Sequence, residues 1–152
     1  MSLKAQTNIS STLYKRIFDL LVPDSLRKDI IQANYAKILI ILSMTTNVIG
    51  AYSLSVNLYF ADYLAVTIVF ILLFVVNSSI LIMHHTGKIF IARETITLAF
   101  FLLAVIFTLY RNSIYLPTSY WIILAPIICL LCGGFRSSII WFLLSCSFII
   151  FI

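Results

Sequence analysis

The amino-acid sequence predicts an all-α protein, a polytopic bundle of transmembrane helices. Of its 152 residues 62% are hydrophobic and only 10% are charged, whereas a soluble domain has about half apolar and about a quarter charged residues. The apolar residues are also gathered into long runs that are separated by short polar turns. A chain this short has too little interior to hide that much apolar side chain from water. A soluble enzyme, a disordered tail and a disulfide-stapled secreted module are therefore disfavoured.

Residues 1–35 form a basic cytoplasmic lead, and residues 36–152 form the transmembrane domain. Apolar residues of the lead recur at helical spacing and predict a short amphipathic helix on the inner leaflet; they are Leu13, Ile17, Leu20 and Leu21, opposite Lys15 and Arg16. Pro23 breaks this helix, and Asp24 or Ser25 caps a second one that continues into the first span. The preferred interpretation is a basic anchor at the membrane surface, and the alternative is a lipid-specific contact.

Five apolar runs are interpreted as membrane spans. About 20 helical residues cross about 30 Å of hydrocarbon, and the first three runs meet that length, whereas the last two are shorter. They lie at residues 38–56, 63–83, 90–109, 117–132 and 139–152. Pro117 begins the fourth span, Pro126 bends or loosens it, and Gly133-Gly134 ends it. The fifth run is still apolar at Ile152, so we expect a segment of a longer protein with five spans of an expected six.

The basic residues set the expected orientation, because Lys and Arg are enriched on the cytoplasmic side of membrane proteins. One side of the bundle carries nine of them: Lys4, Lys15, Arg16, Arg27, Lys28, Lys37, Lys88, Arg93 and Arg136. The other side offers only Arg111. The N-terminus is therefore expected in the cytoplasm. Since these cations flank apolar runs and form no continuous face, nucleic acid is not an expected partner.

Glu94 is the only glutamate of the chain and follows Arg93. It lies about 9 Å along the helix from Lys88, at the inner interface or just inside the hydrocarbon. Neighbours on a helix point about 100° apart, so the two are not expected to pair. In the preferred interpretation Arg93 extends to lipid phosphates while Glu94 finds a basic or hydroxyl partner. The alternative is a functional switch or proton site that includes Arg93, Glu94 and Pro126.

Other polar residues favour structural roles. Cys129 and Cys132 have redox-like spacing but lie on a membrane helix, where packing of small residues is preferred. His84-His85 is interpreted as an ordinary interfacial turn, with a metal or pH-sensing site as the alternative. No metal and no cofactor are expected.

Asn47 and Asn77 lie within the first two spans. Their amides are expected to bond neighbouring helices, and the alternative is a polar ligand cavity that includes nearby hydroxyls such as those of Thr45 and Thr46.

The sequence contains no GxSxG, HExxH or phosphate-binding glycine loop and no pair of intramembrane carboxylates. No catalytic activity is therefore expected in this segment. A solute pathway is weakly supported, since the one charged acid within the spans lies near an end.

The stretch SYWIILAPIICLLCGGFRSSIIW, together with the Leu-Val-Pro-Asp break in the lead, resembles the N-terminal membrane sensor regions of bacterial signalling proteins. Trp121, Pro126, Gly134 and Arg136 carry the likeness. It implies a location in the bacterial inner membrane and a cytoplasmic output domain, foremost a histidine kinase and otherwise a diguanylate or adenylate cyclase. It also implies a homodimer of the full-length protein. The chain departs from the pattern by lacking a sixth helix and an output domain.

The resulting expectation is a membrane-embedded signal-input domain that detects a small apolar or amphipathic ligand or a membrane state. A signal would favour one helix arrangement over another and so shift their populations. The candidate ligand site is an outer aromatic cluster of Tyr59, Tyr63, Tyr115, Tyr120 and Trp121; the alternative for each ring is an interfacial aromatic belt. A small membrane transporter or channel subunit is the competing function.

Overall fold

The computed structural model describes residue 18 and residues 20–110 and 122–151. Within these ranges the chain is helical with short turns and contains no strand, so the all-α prediction is confirmed. The helices are α1 (Asp24–Arg27), α2 (Ile30–Tyr59), α3 (Tyr63–Thr86), α4 (Ile89–Tyr110), α5 (Leu124–Leu131) and α6 (Phe135–Phe151).

Three of these helices are long and apolar enough to cross a membrane: α2, α3 and α4, with 30, 24 and 22 residues. They coincide with the first three predicted spans. Helix α6 is apolar but has 17 residues. Large apolar side chains remain exposed along the outer faces of the bundle, for example Phe70, Phe74 and Ile140 at 64%, 68% and 59%. Such a surface suits lipid as the solvent.

The prediction that a helix starting at Asp24 or Ser25 runs unbroken into the first span is wrong. Helix α1 ends at Arg27, and Asp29 starts a new helix. The Oδ1 atom of Asp29 accepts hydrogen bonds from the backbone N–H groups of Ile31, at 2.9 Å, and Gln32, at 3.4 Å. An aspartate in this position satisfies donors that a helix start leaves open. The predicted boundary at residue 35 consequently lies inside α2.

The described part of the lead packs against the bundle. Phe18, Val22 and Leu26 are at most 5% exposed and belong to the same apolar core as Ala36 and Leu39 of α2. Of the residues assigned to an amphipathic helix, Leu20 is exposed, Leu21 is half-buried, and Leu13 and Ile17 lie outside the described residues. The lead thus adds apolar packing to the end of the bundle that holds the start of α2.

The fourth predicted span is only partly described, because Pro117 lies outside the described residues. A single 3₁₀ turn at residues 122–123 leads into α5. Pro126 is the third residue of α5, in the turn where a missing N–H removes no intrahelical bond.

The predicted stop at Gly133-Gly134 is present. Gly133 has φ +74° and donates to the Leu130 carbonyl, and Gly134 donates to the Cys129 carbonyl at 2.8 Å. These paired bonds form a Schellman motif, whose left-handed residue is normally glycine.

Two asparagines join α2 to α3. The Nδ2 of Asn47 donates to the Oδ1 of Asn77 and to the Ser43 carbonyl, at 2.9 and 3.0 Å. The Nδ2 of Asn77 donates to the Oδ1 of Asn47 and to the Leu73 carbonyl, at 2.9 and 2.7 Å. Both amide groups are thereby satisfied without water, as the hydrocarbon requires. The prediction that these residues bond neighbouring helices is confirmed.

We expect Asn47→Leu and Asn77→Leu each to destabilise the bundle, because each removes the side chain with which the remaining asparagine exchanges two hydrogen bonds. The double variant is expected to cost less than the sum of the two, with a coupling energy of about 0.5–2 kcal/mol. Denaturant unfolding in detergent micelles or bicelles measures the four free energies. Additive costs would contradict a direct bond between the two amides.

Candidate functional site

The two charged residues of α4 form an ion pair. The Nη2 and Nε atoms of Arg93 lie 2.8 and 3.0 Å from the Oε1 of Glu94. The prediction that these neighbours do not pair is wrong, because both side chains are long enough to bend toward each other across the helix surface. The expectation that Arg93 extends to lipid phosphates is also wrong, since the residue is only 8% exposed. A pair at this depth neutralises charges that lipid solvates poorly.

The guanidinium of Arg93 bridges α4 to the turn between α5 and α6. It donates to the carbonyl of Cys132 at 3.4 Å and to the Oγ of Ser137 at 3.3 Å. The ring of Phe90 lies 5.2 Å from its central carbon. Gly134 allows this approach, because a Cβ there would lie 2.6 Å from Nη1 of Arg93. A side chain at residue 134 would push this guanidinium away from its present contacts.

The carboxylate of Glu94 joins α4 to α6 as well. Its Oε2 accepts a hydrogen bond from the indole Nε1 of Trp141 at 2.9 Å. The Sγ of Cys129 lies 4.0 Å from Oε1 and 3.2 Å from the Oγ1 of Thr97. These residues form what we call the polar network: Arg93, Glu94, Thr97, Cys129, Ser137 and Trp141. Because its members come from α4, α5 and α6, a shift of one helix alters the bonds of the other two.

Sequence reasoning missed Ser137 and Trp141 as partners of the ion pair. They are four residues apart and so share one face of α6. This spacing was the sequence signal that could have marked them as a pair of polar contacts. Nothing local linked that face to Glu94, 47 residues earlier in the chain. The ring of Trp141 also packs against Phe101 of α4, with centroids 5.5 Å apart.

A cavity of about 370 Å³ lies between α2, α3, α4 and α5. Most of its wall is apolar, including Leu72, Phe100, Leu103, Phe107 and Ile128. Its volume falls within the range of small-molecule sites, of about 300–1,000 Å³.

One side of the cavity is a polar stripe on α2, which consists of Thr45, Thr46, Ser53 and Asn57. The hydroxyls of Thr45 and Thr46 donate to the carbonyls of Ile41 and Leu42 at 2.9 and 2.8 Å. With their protons committed to the helix, the hydroxyl oxygens offer acceptor lone pairs. The cavity can thus hold an apolar body and accept a hydrogen bond from a polar end.

The aromatic cluster proposed as a ligand site from the sequence is described only in part. Tyr115, Tyr120 and Trp121 lie outside the described residues. Tyr59 and Tyr63 flank the turn between α2 and α3 and are 85% and 70% exposed. Both positions suit an interfacial belt, and neither tyrosine lines the cavity.

The remaining sequence candidates are placed as follows. Cys129 and Cys132 are buried and unbonded by disulfide, which agrees with packing of small residues. His84 and His85 are exposed at the end of α3, edge to face at 5.5 Å. In the described ranges, no group of three or more His, Cys, Asp or Glu side chains is arranged to hold a metal ion.

No family model, curated protein or solved structure matches this chain. The resemblance to bacterial sensor regions therefore remains an expectation from the sequence.

We expect Trp141→Phe to destabilise the protein by about 1–3 kcal/mol, because Glu94 loses a donor while the aromatic packing is largely kept. The same change in a Glu94→Gln background is expected to cost clearly less, since a neutral amide needs the indole N–H less than a carboxylate does. Denaturant unfolding in micelles gives both costs. An equal cost in the two backgrounds would contradict the bond between Trp141 and Glu94.

Proposed function

We propose that this chain is the signal-input domain of a bacterial sensor protein. In this proposal it is embedded in the inner membrane as five helical spans, with its N-terminus in the cytoplasm. It detects a small apolar or amphipathic ligand and relays the signal to a cytoplasmic output domain, a histidine kinase in the family that the sequence resembles. The observation that carries the proposal is the mostly apolar cavity between α2, α3, α4 and α5, with acceptor oxygens along one wall.

The proposed orientation is supported by the end of the bundle at which the basic residues lie. Gly87, in the turn between α3 and α4, approaches Ser25 of α1 so closely that a Cβ there would be 2.6 Å from the serine Oγ. Gly133, in the turn after α5, packs in the same way against the ring of Tyr35 in α2. Lys88 and Arg136 thus lie at the same end as the basic lead, as the positive-inside rule expects of a cytoplasmic face.

Helix α4 connects the cavity with the polar network, and the proposed signal would pass along it. Its outer part lines the cavity with Phe100, Ala104 and Phe107, and its inner part holds Arg93 and Glu94. A ligand that fits the cavity better in one position of α4 favours that position, and only such a difference in affinity shifts the populations. Through the polar network, the same shift moves α6. In a homodimer of the full protein, that movement would change the relative placement of two output domains.

The residues that line the cavity also favour ligand binding over transport. A solute pathway needs polar or charged groups that keep water in the middle of the membrane. Here the wall formed by α3, α4 and α5 is apolar, and the polar side chains are confined to α2. Binding without passage is therefore the function that the geometry favours.

We expect a diazirine-bearing long-chain alcohol, photolysed with the chain in liposomes, to label Phe100 and Phe107 inside the cavity. These residues are 3% and 8% exposed, so lipid itself does not reach them as it reaches Phe70 and Phe74. Ala104→Phe is expected to reduce the cavity labelling to background, because the added ring occupies the space. Labelling is located by mass spectrometry of peptides.

The matched control is Ala51→Phe, which adds the same ring at an exposed position of α2. It is expected to leave the cavity labelling unchanged. Equal loss in both variants, or no labelling of Phe100 and Phe107 in the unaltered chain, would contradict a ligand cavity. Rapid flux of small polar solutes through the same liposomes would favour the transporter instead.

We expect Tyr63→Cys to react with a membrane-impermeant maleimide in intact cells, and His85→Cys to react only after the membrane is opened. Both side chains are exposed, and they lie at opposite ends of α3. The native Cys129 and Cys132 are buried, and the half-buried Cys146 is replaced by serine in both variants to remove its background. Reaction of both variants from the same side would contradict a membrane crossing by α3, and a reversed pattern would contradict the cytoplasmic N-terminus.

A further inference from the structure

A second cavity lies at the end of the bundle where α2 and α4 begin. Its volume is about 450 Å³, and we call it the inner crevice. Gln32 and Tyr35 line it from α2, Phe90 and Arg93 from α4, Lys88 from the turn before α4, and Cys132 from the turn after α5. Since helices of membrane length begin and end here, the inner crevice lies at the level of lipid headgroups.

The charges of the inner crevice are cationic. Lys88 is exposed at its mouth, and the Arg93 side chain, only 10% exposed, forms part of its wall. None of the acids that the structure describes, including Glu94, lines it. The guanidinium itself is held inside the bundle, with Nε and Nη2 on Glu94 and Nη1 on the Cys132 carbonyl at 3.4 Å. An anion in the crevice therefore meets the Lys88 ammonium directly and the positive charge of Arg93 from behind the wall.

The border of the inner crevice is apolar. Phe90 and Ile91 are 61% and 37% exposed next to the two cations. A free phosphate ion makes no favourable contact with such a border, whereas a phospholipid places its acyl chains there while its phosphate contacts Lys88. Basic pockets between transmembrane helices at this level are suited to anionic headgroups.

We propose that the inner crevice binds the headgroup of an anionic phospholipid from the leaflet at that end of the bundle. The Lys88 ammonium contacts the lipid phosphate, the buried Arg93 guanidinium adds positive charge behind it in the wall, and the acyl chains lie along Phe90 and Ile91. This site is separate from the cavity between α2, α3, α4 and α5, and it does not depend on the function proposed above.

The test is native mass spectrometry of the full chain, released from micelles, with phosphatidylglycerol or phosphatidylcholine added in steps. We expect the first phosphatidylglycerol to bind more tightly than phosphatidylcholine. Lys88→Gln is expected to weaken that first step about fivefold, the ratio that corresponds to about 1 kcal/mol for one basic residue near a charged headgroup. Arg136→Gln removes an equal charge from an exposed position that does not line the inner crevice, and it should leave the step unchanged.

A second pair of variants adds charge instead of removing it. Gln32→Glu places an acid in the inner crevice and is expected to weaken phosphatidylglycerol binding at least as much as Lys88→Gln does. Asn34→Asp adds an acid to an exposed position of α2 outside the crevice and is expected to have little effect. Helical circular dichroism and the midpoint of thermal unfolding establish that each variant is folded.

Three results would overturn the proposal. The first is equal weakening by the crevice variants and their controls, which would indicate general attraction to a basic surface. The second is equal affinity for phosphatidylcholine. The third is displacement of the first lipid by millimolar glycerol phosphate, which would indicate a site for a free phosphate compound and not for a lipid.

Discussion

The ion pair between Arg93 and Glu94 is the interaction on which the arrangement of α4, α5 and α6 depends. A single charge inside hydrocarbon costs several kcal/mol, and even a pair is stable only when further hydrogen bonds satisfy its remaining atoms. Those bonds come from Cys132, in the turn that follows α5, and from Ser137 and Trp141 of α6. The ion pair therefore keeps its hydrogen-bond partners only when α5 and α6 lie in their observed positions.

Helix α6 illustrates how packing in lipid differs from packing in water. Only Ser145 is buried along its length, and most of its large apolar side chains are exposed. Its position comes from polar contacts: Trp141 with Glu94, Ser137 with Arg93, Ser138 with the Pro126 carbonyl and Ser145 with the Ile122 carbonyl. Since lipid tails are as apolar as leucine, burial of apolar surface does not drive helix association, and hydrogen bonds and close packing take its place.

The same constraint connects the two cavities with the polar network. Helix α4 lines the cavity that we assign to a ligand, holds the ion pair, and contributes Phe90 and Arg93 near its start to the inner crevice. Both cavities are therefore lined by residues of one helix, and the polar network joins that helix to α6. A domain built in this way is suited to report on both a dissolved amphiphile and the lipid around it, which is consistent with the proposed input function.

The sequence alone determined the all-α class, the three helices of membrane length, the end of α5 at Gly133-Gly134 and the expectation that Asn47 and Asn77 bond to a neighbouring helix. These features follow from the length of the apolar runs, from the backbone conformation of glycine and from the need of polar groups for hydrogen bonds in hydrocarbon. None of the three depends on which helices are neighbours. Only the tertiary structure decided that Arg93 and Glu94 pair and that Trp141 donates a hydrogen bond to Glu94. It also decided that the mostly apolar cavity is lined by Thr45 and Asn57 and not by Tyr59 or Tyr63. Hydropathy and helical spacing specify which side chains share a face, but they do not specify which helix that face meets, because lipid accepts an apolar face as readily as a neighbouring helix does.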